Sequence, residues 1–357
     1  MVPDSTCRDN NELMKEKLLG KTPTDLKEIA LSMGLPSFAG GQIARWLYVS
    51  RVKDISEMTN ISKAGRESLS EKYEVGRTFP LGVQVSSDGT KKYLFPAVEE
   101  GNAVEAVMIP EGERKTLCVS SQAGCRMGCK FCMTGRQGFH GNLTPADILS
   151  QFLSIEEADG LTNAVFMGMG EPLDNWDNVS RALEVLTADW GFGWSPKRIT
   201  LSTIGVIPNL RKYLDESKCH LAISLHNPFP EDRAALMPVE KAWHIRDIIA
   251  LLKEYDFTGQ RRVSFEYTMF EGFNDSLRHA DELVRLLSGI ECRVNLIRFH
   301  KIPDFPYGTS SRETMEAFRD RLSKRGVIST IRSSRGEDIL AACGMLAGKH
   351  NKHMADE

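Results

Sequence analysis

No run of about twenty apolar residues occurs in this chain of 357 residues, and its start, MVPDSTCRDNNELMKEK, is polar throughout. Neither a membrane-spanning helix nor a secretory leader is expected, and the cytoplasm is the expected compartment. Cysteine is scarce: eight residues are too few for a disulfide scaffold at this length. A positive net charge is lacking too, since 45 Lys and Arg against 48 Asp and Glu leave −3. Nucleic-acid binding is therefore not legible in bulk charge and would need a local basic surface. Also missing are a GxGxxG dinucleotide loop, a phosphate loop and an HExxH pair. Their absence weighs against nicotinamide chemistry, nucleotide hydrolysis and zinc proteolysis. What remains, 41% hydrophobic and 26% charged residues, suits a globular protein with one large core and a smaller accessory domain.

Against this scarcity three cysteines crowd together. Cys125, Cys129 and Cys132 form a C-x3-C-x2-C triplet inside CVSSQAGCRMGCKFCMTGRQGFHG, residues 118–141, which Gly124, Gly128, Gly135, Gly138 and Gly141 punctuate. A loop with several glycines can fold back so that neighbouring thiolates meet one inorganic centre. Zinc sites and iron–sulfur clusters normally take four ligands. No fourth ligand stands at an obvious spacing, and His140 is the nearest candidate. Three readings stay open on the residues alone: a four-iron cluster with one open iron, a zinc site completed by His140, or three unligated thiols.

Taken in order, the chain first reads as helical. After a loosely ordered polar start, Thr22-Pro23-Thr24-Asp25 offers an N-cap, a proline at the first helical position and an acid three residues after the cap. Leu26, Ile29, Ala30 and Met33 give that helix one apolar face, and Gly34 and Pro36 stop it. Ile43, Trp46 and Leu47 mark a second helix, and the pattern resumes through Ile61 and Leu69. A helical accessory domain is expected over 1–78. Val83 and Val85, the turn Ser87 to Thr90, and Tyr93 to Phe95 predict a hairpin, with a further strand from Val104 to Ile109 in a linking segment, 79–112.

Strands and helices then alternate over 113–343, before a tail at 344–357. Strands are expected at 117–121, 164–167, 198–202, 219–225, 262–268, 292–297 and 326–332. Helices are expected at 144–158, 178–188, 207–214, 244–255, 276–287 and 312–324. Such alternation predicts a parallel sheet covered by helices, with the chemistry at the carboxyl ends of its strands. The residues do not choose between a barrel and an open doubly wound sheet. At those ends lie Gly168, Gly170, Glu171 and Pro172, then Ser202-Thr203, then Ser224-Leu225-His226. Glycine lets backbone approach a ligand, and the Glu171 carboxylate can accept bonds from an ammonium group.

The triplet, with Phe131 before its last cysteine, resembles the signature of radical S-adenosylmethionine enzymes. CVSSQAGC, CKFC, TGRQGF, GMGEP, LSTIGVIP, ISLH and ACGMLAG together resemble the adenine C2 methyltransferases of ribosomal RNA, relatives of the C8-methylating resistance enzymes, over almost the whole chain. The resemblance implies an α/β fold: a partial (β/α)6-type radical SAM barrel with a small N-terminal helical domain and a linking β-hairpin. It implies a [4Fe-4S] cluster on Cys125, Cys129 and Cys132 whose open iron binds S-adenosylmethionine. It also implies cofactor contacts from Gly170, Glu171, Ser202, Ser224, Leu225 and His226. His300 stands where the family usually has asparagine, and is expected to replace or shift that contact to the cofactor adenosine.

Cys343 and Cys118 match the family's catalytic cysteines, and Glu105, in VEAVMIP, matches its acid/base glutamate; by position alone Glu105 is an exposed side chain on an alternating strand. Adenine C2 is electron-poor and offers no lone pair to a polar methyl transfer, which is why radical chemistry is needed. By resemblance, Cys343 is methylated first, loses hydrogen to a 5′-deoxyadenosyl radical, and attacks the base to give a protein–RNA adduct. Cys118 then takes a proton and releases product by pairing with Cys343 as a disulfide. The implied substrates are adenosine 2503 of 23S ribosomal RNA and adenosine 37 of tRNA. The implied partners are an external electron donor such as flavodoxin or ferredoxin, with the enzyme a monomer. RNA contacts are expected from Arg45, Lys53, Lys63 and Arg66, and from Arg126, Lys130, Arg136, Lys324, Arg325, Arg332 and Arg335. C8 methylation of the same adenosine is an alternative, against which Pro172 speaks, and a non-catalytic iron–sulfur RNA-binding factor is another. Cys7, Cys219 and Cys292 match nothing in the family.

Overall fold

A computed structural model describes residues 15–97, 102–259 and 261–347. Cys7, the polar start to residue 14 and the tail beyond 347 lie outside the described residues. The chain divides after Gly76 into two compact units.

In the first unit, short parallel strands β1 (Glu16–Lys17) and β2 (Tyr73–Glu74) pair around three helices, α1 (Pro23–Ser32), α2 (Ala39–Tyr48) and α3 (Lys63–Lys72). The expected cap of α1 forms: Thr22 Oγ1 accepts the Asp25 N–H at 3.2 Å, and the Asp25 carboxylate accepts the Thr22 N–H at 2.8 Å. Such reciprocal capping contributes about 1 kcal/mol. Leu26, Ala30, Ile43, Leu47 and Leu69 are buried as its core. Arg66 donates to Ile61 O at 2.7 Å, so it holds a turn together, while Lys63 lies 3.9 Å from Glu67 and Arg45 and Lys53 are exposed.

The second unit opens with strands β3 (Gly82–Val85), β4 (Lys91–Pro96), β5 (Ala103–Glu111) and β6 (Arg114–Cys118). The cysteine loop follows, carrying β7 (Gln122–Gly124), α4 (Met133–Arg136) and β8 (Phe139–Asn142), and then α5 (Pro145–Leu153). Beyond it come β9 (Asn163–Phe166), α6 (Trp176–Thr187), β10 (Ile199–Thr203), α7 (Ile207–Glu216) and β11 (His220–Ser224). The last elements are α8 (Pro230–Leu236), α9 (Ile245–Leu252), β12 (Val263–Met269), α10 (Leu277–Leu286), β13 (Cys292–Arg298), α11 (Arg312–Lys324) and β14 (Ile328–Ile331).

One mixed sheet organises this unit, in the order β14-β13-β12-β11-β10-β9-β6-β5-β4-β3. Pairing is parallel from β6 through β9 to β14, and antiparallel from β6 outward to β3. Neighbours in the sheet follow chain order without a reversal, so the sheet has none of the switch points that define a doubly wound fold. The strands expected as a linker are the outer strands of the same sheet. Several boundaries differ from expectation, two of them beside the cysteine loop. β6 ends at Cys118, and α5 stops at Leu153 instead of 158, where the Ser154 N–H closes on Ser150 O and a 3-10 turn, Ala158–Gly160, follows. Among the described residues no helix is long and apolar enough to cross a membrane.

Candidate active site

The cysteine loop is held at its base. β7 and β8 pair antiparallel with a bulge beside Gly124, and the Cys125 N–H donates to Gly138 O at 2.7 Å. Gly124 has φ +69°, and a Cβ there would stand 2.0 Å from Gly138 O, so glycine is required. Further along, the Lys130 N–H reaches Leu236 O at the end of α8 (3.0 Å). Ile204, Leu236, Met237, Phe270 and Phe299 form an apolar cluster against which Met127, Cys129 and Phe131 pack. Phe131 meets the His226 ring edge-on at 4.8 Å.

Cys125, Cys129 and Cys132 line one cavity. Burial pushes the Cys125 thiol up to about 12 and the Cys129 thiol well above its ordinary value, and neighbouring thiolates add to both. Bare thiols here stay protonated; a cationic group would be needed to hold them as thiolates. Among the described residues no three of His, Cys, Asp and Glu are grouped to hold a single metal ion. His140 is exposed on β8 and does not line the cavity, so the structure does not bring a zinc set of three thiols and His140 together.

Opposite the loop stand the strand ends. Gly168, Gly170, Glu171, Ser202, Ser224 and His226 all line this cavity. Gly170 has φ +98°, and a Cβ would fall 2.5 Å from Gln122 Cβ, so this glycine serves close packing of loop on loop. Glu171 is buried. Its Oε1 accepts from Thr203 Oγ1 (2.6 Å) and the Leu173 N–H (3.0 Å), and its Oε2 accepts from the Ile204 N–H (2.9 Å). Burial lifts this carboxyl to about 7 against those donors. A carboxylate has about four acceptor sites, which leaves one for a cationic ligand.

His226 sits at φ +56°, unusual for a residue with a Cβ. Asn274 Nδ2 holds its carbonyl at 2.6 Å and its Nδ1 accepts the Thr268 N–H at 3.0 Å. Burial, with Arg233 nearby, drops the ring to about 3, so it is neutral with its proton on Nε2. Leu225, expected as a cofactor contact, is fully buried and does not line the cavity; its carbonyl accepts from Arg233 Nε at 3.0 Å.

A second cavity adjoins the first, sharing Met167, Ile297 and Cys343 with it. Its walls carry Cys118, His300, Arg332, Ser334 and Arg335. Cys118 and Cys343 are close enough to influence each other, yet both are free thiols and no disulfide joins them. Burial pushes Cys118 up to about 12. Cys343 is accessible from the cavities, and loss of hydration raises its thiol too.

The segment bearing Cys343 is moored to the cysteine loop. The Met133 N–H donates to Gly344 O (2.8 Å), Thr134 Oγ1 to Leu346 O (2.8 Å) and Gln137 Nε2 to Ala347 O (2.5 Å). Glu105, expected to be exposed on position alone, is buried. It pairs with Lys92 Nζ at 3.2 Å, accepts the Ala347 N–H at 2.8 Å, and lines neither cavity. His300 lines the second cavity and not the first, with Nε2 3.0 Å from Ser334 Oγ and Nδ1 3.8 Å from Glu337.

The basic residues separate into groups. Arg332 and Arg335 line the second cavity. Arg126 pairs with Asp174 at 2.9 Å and covers Phe139, while Arg136 is bound to Pro303 O and Asp304. Lys130 is exposed, and Lys324 and Arg325 sit at the end of α11, on neither cavity wall. Sequence reasoning passed over Gln122, whose Oε1 accepts the Glu171 N–H at 2.8 Å, although it lies inside the word SSQAGC, and placed Thr203 at a strand end without giving it the Glu171 bond. Glu266, which lines the first cavity, sits mid-strand with no local signal.

Comparison with known proteins follows the same division. Residues 119–286 match the Radical SAM superfamily, and residues 16–75 match the ribosomal RNA large subunit methyltransferase N-terminal domain. The chain is 60% identical over 330 residues to a probable dual-specificity RNA methyltransferase RlmN of Porphyromonas gingivalis, covering 92% of this chain and 96% of that protein. A protein of the same description from Parabacteroides distasonis is 57% identical over 94% of this chain and 98% of its own length. A crystal structure of a radical SAM methyltransferase from Sphaerobacter thermophilus superposes with a TM-score of 0.87 at 37% identity, covering 94% of this chain and all of that one.

Proposed function

Because the chain belongs to the dual-specificity RNA methyltransferase family of the radical SAM superfamily, we propose that it methylates C2 of adenosine 2503 in 23S ribosomal RNA, and adenosine 37 of tRNA as a second substrate. The observation that carries the reading is the position of Cys343 at the junction of two cavities, one lined by the cysteine triplet and the strand ends, the other by Cys118 and arginines. The monotonic strand order supports a partial barrel with the first cavity at its carboxyl-terminal mouth.

Three thiols facing one cavity without forming a single-ion site suit a [4Fe-4S] cluster, in which each thiolate takes its own iron. Cys125, Cys129 and Cys132 would hold it, and the free acceptor site of Glu171 would take the ammonium of S-adenosylmethionine. Bound there, the pair would supply one-electron chemistry that side chains cannot perform. Phe131, Ser202, Ser224 and His226 line the cavity that would hold the cofactor, and the neutral His226 ring offers an N–H without adding charge.

Cys343 is the carrier: its sulfur takes a methyl group on the cofactor side and presents that carbon to the base on the RNA side. Moored by α4 and Glu105, its backbone is fixed for both tasks. Cys118 accepts the proton lost from the adenine carbon. Returned to thiolate, it attacks Cys343 Sγ, and the bond from that sulfur to the transferred carbon breaks. The carbon keeps the electron pair and takes a proton as the product's methyl group, and the disulfide left behind is reduced with two electrons from an external donor such as flavodoxin or ferredoxin. The target adenine must leave its stack to reach this depth. Anaerobic reconstitution with ribosomal RNA tests the reading: the wild type should yield 2-methyladenosine, and Cys343→Ala should keep its iron and yield none. Methylation by that variant, or a product methylated at C8, would refute it.

A further inference from the structure

Arg332 stands at the wall between the two cavities. Its Nη1 lies 3.3 Å from Glu266 Oε2 and 3.4 Å from Met167 Sδ. The carboxylate is in turn built into the sheet. Glu266 Oε1 accepts from Asn295 Nδ2 at 2.7 Å and from Ser264 Oγ at 3.0 Å, and Thr330 Oγ1 donates to Asn295 Oδ1 at 2.9 Å. Glu266, Asn295 and Thr330 are register partners on β12, β13 and β14, so one polar row crosses three strands and ends at the guanidinium.

An arginine meant only to meet RNA phosphates needs no such frame, since a phosphate contact tolerates a mobile cation on a solvated surface. A guanidinium fixed by a buried carboxylate is instead preorganised toward a defined point. The second cavity, which Arg332 lines, also holds the sulfurs of Cys118 and Cys343, and the guanidinium lowers both thiols. Arg332 and Cys118 share the second cavity, and the charged groups that act on Cys118 are Arg332 and the thiol of Cys343. Glu111, Arg114, His300 and Arg335 line the same cavity.

We propose that Arg332, oriented by Glu266, is a positioning residue that makes Cys118 a competent proton acceptor for the RNA adduct. The inference rests on the methylation reading above. In the step concerned the adenine C2–H bond breaks, the proton passes to Cys118 Sγ, and the electron pair stays on the ring. The guanidinium offsets the thiolate before transfer, and afterwards faces Glu266 with the new thiol beside it. Burial raises the Cys118 thiol and the Arg332 guanidinium works against that rise.

The test compares cluster-loaded Arg332→Gln, Arg332→Lys and Glu266→Gln with Cys118→Ala in single turnovers on ribosomal RNA. Three readouts are followed: methyl on Cys343 by peptide mass, covalent protein–RNA adduct on denaturing gels, and RNA affinity against salt. Cys118→Ala should trap the adduct. Starting from enzyme whose Cys343 already carries the methyl group, Arg332→Gln should release product at least ~10-fold more slowly, the equivalent of about one pKa unit on the acceptor, with adduct accumulating. Arg332→Lys should recover part of the release, and Glu266→Gln should fall between. In a Cys343→Ala background, the pH midpoint for Cys118 alkylation should rise in Arg332→Gln, which checks the same claim without turnover. The inference is overturned if Cys118→Ala traps adduct while Arg332→Gln releases product at the wild-type rate. It is equally overturned if Arg332→Gln merely weakens RNA binding and lowers its salt slope, because that is a phosphate contact. Failure of Cys118→Ala itself to trap an adduct would instead refute the underlying carrier mechanism.

Discussion

The two cavities meet at one sulfur and are built in opposite ways. The first is walled by strand ends, a buried apolar cluster and a carboxylate already bound to three protein donors. The second carries serines and arginines and a cysteine whose thiol is pushed up to about 12. A preorganised, largely apolar site suits a cofactor held in one orientation, whereas a polar, basic wall suits a large anionic substrate. Under the proposed function, the difference teaches that recognition and radical chemistry would be kept apart, with Cys343 as the group that serves both.

If that separation is real, substitutions should damage one side without the other. Cys125→Ser should have the largest effect: iron content should collapse and methylation vanish, while RNA binding measured by filter retention stays within about twofold, since about 0.4 kcal/mol separates such affinities. Glu105→Ala should come next. It leaves Lys92 without its partner and frees the Ala347 N–H, a loss of about 3–5 kcal/mol for a broken buried pair. Thermal unfolding should register that loss. Product formation should fall even where cofactor binding, read by equilibrium dialysis, is retained; loss of cofactor binding alone would place Glu105 on the other side of the divide.

Glu171→Gln should act only on the first cavity, weakening S-adenosylmethionine by roughly 10- to 100-fold, as expected for the loss of a charge-assisted bond of about 1.5–3 kcal/mol. Adduct release should be unaffected in enzyme whose Cys343 is already methylated. The smallest effect should come from Thr22→Ala in the other unit, about 1 kcal/mol in stability through loss of its capping box, with both cavities untouched.

Much of this site was legible as words and little of it as geometry. The triplet could be read as a ligand loop because three soft donors within eight residues have few packing explanations, and Thr22 and Thr144 announced their helices because a capping box is a local contact. Glu171, Ser202, Ser224 and His226 were findable because they follow strands in an alternating chain. The rest depends on contacts distant in sequence. Leu225, just past the end of β11, turned its side chain into the core. His300 entered the second cavity through Ser334, and Glu105 is occupied by Lys92 and by a backbone N–H 242 residues away. The row from Glu266 to Thr330 exists only through sheet register, which no local pattern of residues reveals.

The most direct test of Cys343 as the shared group is a methyl chase. Enzyme loaded with deuterated-methyl S-adenosylmethionine, stripped of free cofactor, is given RNA, a reductant and unlabelled S-adenosylmethionine. The carrier role predicts deuterium on the peptide containing Cys343 before the chase and in the adenine of the first turnover after it. Unlabelled methyl in that first product, with deuterium still on the protein, would contradict it.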